Sequence, residues 1–66
     1  MAQNKLMTVK ELSEWLSVKP GTIYGWTHCK QVPYYKLGTG VRFDPEKIER
    51  WLKKKEVPVY KIEINL

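Results

Sequence analysis

Lys19-Pro20-Gly21-Thr22-Ile23-Tyr24-Gly25-Trp26-Thr27 decides how this 66-residue chain folds, because it reads as a helix that begins on a proline and keeps its apolar residues on one side. Proline suits the first helical position, where its missing N–H costs nothing and its fixed φ already fits the helix. Ile23, Trp26 and Thr27 then recur at spacings of three and four, the period of one helix face. Upstream, Thr8 and Glu11 have the spacing of a capping box, Met7 stands where it can staple onto Leu12, and Val9, Leu12 and Leu16 form one apolar stripe. Only Ser17 to Lys19 separates the two helices.

So short a connection describes a helix-turn-helix, although the glycine often found in such a turn is missing. Val32-Pro33 is expected to end the second helix, which spans about residues 20–30. Beyond it, Tyr35, Leu37, Val41 and Phe43 alternate with Tyr34, Lys36 and Arg42 around Gly38-Thr39-Gly40, the pattern of a hairpin over 34–43. A three-residue loop would set Leu37 against Val41 and Lys36 against Arg42, with both cations outward and the apolar pairs over the helices. Asp44 then caps a third helix with Pro45 at its first position, Phe43 able to staple onto Ile48, and Ile48, Trp51 and Leu52 as its buried stripe. Trp15, Trp26 and Trp51 are all expected in the core. The fold is therefore mostly α with a small β-wing: an N-terminal arm over 1–7, a winged helix-turn-helix over 8–55, and a C-terminal extension over 56–66. From Val57 to Leu66 the extension alternates like a strand, which would join the hairpin, pair with another copy of the chain, or stay disordered.

Composition narrows the chemistry. One cysteine, Cys29, excludes an internal disulfide, and with a single histidine, His28, it cannot close a zinc site. The first seven residues lack the apolar run of a signal peptide and nowhere do about 18 apolar residues occur together, so a cytoplasmic location without membrane contact is expected. No catalytic constellation and no phosphate-cradling glycine loop is present, so an enzyme, a cofactor and a small-molecule ligand are not expected.

Charge is distributed unevenly. The net charge is +5, and the stretch from Trp15 to Phe43 holds Lys19, Lys30, Lys36 and Arg42 but no acidic residue, although seven carboxylates occur elsewhere. A positive, donor-rich segment of this kind suits a polyanion, and double-stranded DNA is the leading candidate.

The stretch from Leu6 to Leu52 resembles the excisionase-type helix-turn-helix domains, relatives of the MerR DNA-binding head. The resemblance rests on Met7-Thr8-Val9-Lys10-Glu11-Leu12, Val18-Lys19-Pro20-Gly21-Thr22-Ile23-Tyr24, Val32-Pro33, Lys36-Leu37-Gly38, and Arg42-Phe43 leading to Ile48-Glu49-Arg50-Trp51-Leu52. It implies a second helix in a major groove and a wing against the neighbouring backbone or minor groove. The family's DNA-contacting positions fall on Lys19, Thr22, Tyr24, Gly25 and His28 of the helix and on Lys36 and Arg42 of the wing, to which the acid-free segment adds Lys30. Gly25 and Thr39 stand where the family commonly has basic residues.

Several of these residues have a second reading. Gly21 and Gly25 either notch the helix for close backbone approach or are merely tolerated, and Tyr24 either reaches DNA or covers the edge of the core. Functionally, the resemblance implies sequence-directed DNA binding by a recombination directionality factor, with a recombinase as partner, or by a small transcription regulator. The rival is a protein-interaction module pairing edge-on through the wing and the C-terminal strand, either with a partner or as a homodimer.

Overall fold

The computed structural model describes residues 5–59 and contains α1 (Val9–Leu16), α2 (Pro20–His28), β1 (Tyr35–Leu37), β2 (Gly40–Arg42) and α3 (Pro45–Lys55). Three helices and one antiparallel hairpin make a winged helix-turn-helix. Val9, Leu12, Ile23, Val32, Phe43 and Ile48 form its core, so every helix and both ends of the wing segment contribute. Trp26, Trp51, Leu16, Val18 and Leu52 pack around that centre half-buried.

The capping box of α1 forms as expected. Thr8 Oγ1 accepts from the Glu11 N–H at 3.1 Å, and Glu11 Oε1 accepts from the Thr8 N–H at 2.9 Å. Thr8→Ala should therefore lower stability by about 1 kcal/mol, read as a lower urea midpoint at unchanged m-value. At the other end Ser17 takes a left-handed conformation, φ 58°, and the Ser17 and Val18 N–H groups both bond to the Ser13 carbonyl. A serine thus makes the turn that a glycine usually makes.

Four expectations are corrected. The second helix ends at His28, not near residue 30, and Val32-Pro33 does not end it. The Lys30 N–H bonds to the Thr27 carbonyl at 3.1 Å and the Gln31 N–H to the Trp26 carbonyl at 2.8 Å, with Lys30 left-handed at φ 55°. These two bonds form a Schellman closure, which stops the helix before the proline is reached.

The hairpin register is one residue tighter than expected. Tyr35 pairs with Arg42, Lys36 with Val41 and Leu37 with Gly40, so the turn is the two-residue Gly38-Thr39. Gly38 has φ +66° while Thr39 does not enter the positive region, which is the glycine-first pattern of a type II′ turn. Lys36 and Arg42 are consequently on opposite faces of the wing, because directly opposed residues share a face and neighbours alternate. The same register turns Tyr35 and Leu37 outward, 36% and 55% exposed, and leaves Tyr34, Val41 and Phe43 to pack on the helices.

The third correction concerns Trp15, which is 41% exposed. Ser13 is the buried residue of that turn instead, and its hydroxyl donates to the Lys10 carbonyl at 2.7 Å. A small side chain on the inner face lets α2 pack close to α1. The last correction is at Val57–Val59, which form no strand; the remainder of the expected C-terminal strand lies outside the described residues.

One long-range feature has no local signature. The Met7 N–H donates to the Phe43 carbonyl at 2.8 Å and the Phe43 N–H to the Met7 carbonyl at 2.9 Å, an antiparallel bridge that places the last residue of the expected arm within the fold. Asp44 follows immediately, and its Oδ1 accepts from the Glu46 N–H at 2.9 Å to cap α3. Trp51 secures the other end of α3 by donating Nε1–H to the Gln31 carbonyl at 2.9 Å and meeting Trp26 edge-on, with ring centroids 5.4 Å apart.

Candidate nucleic-acid interface

Because Ile23 and Thr27 are buried, the helical period turns Gly21, Tyr24, Gly25 and His28 toward solvent. Tyr24 is 55% exposed, which separates it from the core and removes the reading in which its ring covers the edge. Thr22 is exposed beside it, and Lys19 precedes the helix as an N-cap whose side chain makes no capping bond and is free to extend. A Cβ placed on Gly21 or Gly25 would meet nothing within 4 Å, so internal packing requires neither glycine.

His28 leads from this face into a second group. Thr27, His28, Lys30, Tyr34, Lys36 and Val41 line a cleft of about 320 Å³ between the C-terminal end of α2 and the inner face of the wing. The early end of α2 builds this cleft, since the left-handed turn at Lys30 sends the chain back toward the wing. Two lysines and a histidine thus converge on one concavity, the arrangement that a phosphate group fits.

Arg42 does not join them. It is half-buried on the opposite face, and its Nη1 donates to the Val41 carbonyl at 2.9 Å and lies 3.0 Å from where a Cβ of Gly40 would stand. Gly40 is therefore the seat over which the guanidinium folds. On that same face Lys47 of α3 donates to the Tyr35 hydroxyl at 2.6 Å, with its ammonium 4.9 Å from the ring centroid. The hydroxyl contact raises the lysine's pKa above its ordinary value.

Sequence reading missed Lys47, which stands between Glu46 and Glu49 and outside the acid-free run. Its only sequence signal is the hairpin register, which puts Tyr35 on the outer face. Glu11 and Asp44 are both engaged as helix caps.

An exposed helix presented by a tight turn, flanked by a basic cleft and a short wing, defines a winged helix-turn-helix module. The chain belongs to the helix-turn-helix domain family, whose model matches residues 6–56. Comparisons with curated proteins and with solved structures found no match. Membership points to DNA as the partner. Among the described residues no group of three His, Cys, Asp or Glu could hold a metal ion, and no helix is long and apolar enough to cross a membrane.

Proposed function

We propose that the protein binds double-stranded DNA in a sequence-directed manner, with α2 in the major groove and the wing on the adjacent backbone or minor groove. One observation carries the reading: the exposed face of α2 runs from Lys19 to His28 directly into the cleft formed with Lys30 and Lys36. In this arrangement Lys19, Thr22 and Tyr24 reach base edges, Gly25 permits close approach, and His28 with Lys30 and Lys36 holds a phosphate. Arg42 and Lys47 supply cations on the other side of the wing. The biological role is that of a recombination directionality factor that bends DNA or of a small transcription regulator, acting in the cytoplasm without catalysis.

The test is titration of a labelled duplex at low salt, repeated as salt is raised. Absence of binding at low salt would refute the proposal. Base readout is tested separately: Thr22→Ala and Tyr24→Ala should each relax preference at particular base pairs by about 1 to 3 kcal/mol per lost contact. A uniform loss over all sequences would instead place these side chains on phosphate. Gly25→Ala should raise helix stability by up to about 1 kcal/mol, since the new methyl meets open space. The same variant should weaken DNA binding, and equal or tighter binding would show that the backbone does not approach the bases there.

The rival reading draws on the sheet, in which β1 pairs only with β2 among the described residues and so has a bare edge. Edge pairing with another protein would proceed through neutral backbone groups and show little response to salt.

A further inference from the structure

Beside α2 and α3 there is a groove of about 380 Å³, lined by Leu16, Val18, Trp26, Gln31, Trp51, Leu52 and Lys55. Five of these seven residues are apolar and half-buried, and Gln31 and Lys55 are the polar ones. Leaving two tryptophans and three aliphatic side chains at the wall of an open groove is unfavourable in a domain with so small a core.

The chain itself supplies a matching occupant. After α3 the sequence continues as Val57-Pro58-Val59-Tyr60-Lys61-Ile62-Glu63-Ile64-Asn65-Leu66, in which Tyr60, Ile62, Ile64 and Leu66 recur at every second position. Lys61, Glu63 and Asn65 alternate with them, so an extended segment would present one apolar side to the groove and one polar side to solvent.

Return of this segment to its own groove is disfavoured. Lys55 is already at the rim, so the chain would have to reverse at once, whereas Pro58 restricts Val57 to extended backbone. Val57 and Val59 are 84% and 94% exposed, so the residues that directly follow α3 do not pack on the body. Residues 57–66 reach about 30 Å when extended, enough to arrive at a neighbouring molecule.

We propose that the groove receives the residue 60–66 segment of a second copy of this chain. Two chains exchanging these segments form a closed pair in which each groove is filled and none remains free to propagate. Trp26 is about a third of a turn round α2 from Gly25 and nearly opposite Tyr24 and His28, so the paired form leaves those residues accessible, while Thr22 lies one turn before Trp26 on the same side of the helix. The pairing does not depend on the DNA reading.

The experiment is sedimentation equilibrium on the full chain over a wide concentration range, together with tryptophan emission. The expected result is a monomer–dimer equilibrium accompanied by a blue shift of emission as Trp26 and Trp51 lose water. Ile64→Asp alters none of the core residues and should weaken association by at least about tenfold, the equivalent of one buried isoleucine. Val18→Glu in the groove should do the same, and mixing the two variants should restore one exchanged contact and hence association above either alone. A wild-type chain that stays monomeric at all concentrations overturns the proposal. So does a dimer indifferent to Ile64→Asp. A monomer whose emission shifts red on Ile64→Asp would show that the segment fills its own groove, and would overturn exchange between chains.

Discussion

Raising salt from about 50 to about 200 mM should weaken binding to a random duplex by about 10² to 10³-fold. The magnitude follows from the cations that the fold brings to one side or flank of the module: Lys19 at the head of α2, Lys30 and Lys36 in the cleft, Arg42 and Lys47 across the wing. Engagement of about four to six phosphates gives a slope of about −0.9 per phosphate in a plot of log affinity against log salt. Arg42→Ala and Lys36→Ala should each reduce that slope by about one and weaken all sequences alike. Since the two side chains lie on opposite faces of the wing, their losses should add. A shallow slope in the wild-type protein would favour edge pairing. If either alanine variant altered base preference at constant slope, its assignment to phosphate would be wrong.

The second large effect is on folding. Phe43→Ala should cost about 3 to 5 kcal/mol, because Phe43 is fully buried, heads the fully buried side chains in volume and lies where β2 hands over to α3. A domain of 66 residues whose single cysteine allows no internal disulfide has about that much stability in total. The variant should therefore be largely unfolded at room temperature, seen as loss of helical circular dichroism and of a cooperative melt. A melt within a few degrees of the wild type would show that the core is not centred on this ring.

The helices were legible because their signals are local. Thr8 with Glu11, and Asp44 with Pro45, satisfy backbone groups within a few residues, and the period of Ile23, Trp26 and Thr27 already points one face of α2 inward. The wing was legible as a hairpin but not in register. Gly38-Thr39-Gly40 accommodates either a two- or a three-residue turn, and a one-residue slip reverses every side chain of a strand. Of the candidate contacts, the α2 set faces solvent together and Lys30 and Lys36 line one cleft with His28, whereas the slip turned Lys36 to the inner face and so parted it from Arg42. Trp15 was misread for a different reason: hydrophobicity argued for burial, but packing α2 against α1 required a small residue, and Ser13 occupies the inner position. Lys30 hid the end of α2 because a lysine with positive φ carries no sequence mark comparable to glycine.

The bridge between Met7 and Phe43 has a mechanical consequence. Each residue immediately precedes a helix cap, Thr8 in one case and Asp44 in the other, and the two backbones share both of their hydrogen bonds. A pull on the wing is therefore transmitted to the first turn of α1 through backbone hydrogen bonds as well as through side-chain contacts. The starts of α1 and α3 behave as one latch, and their amides should exchange with solvent in a single opening event rather than fray one by one.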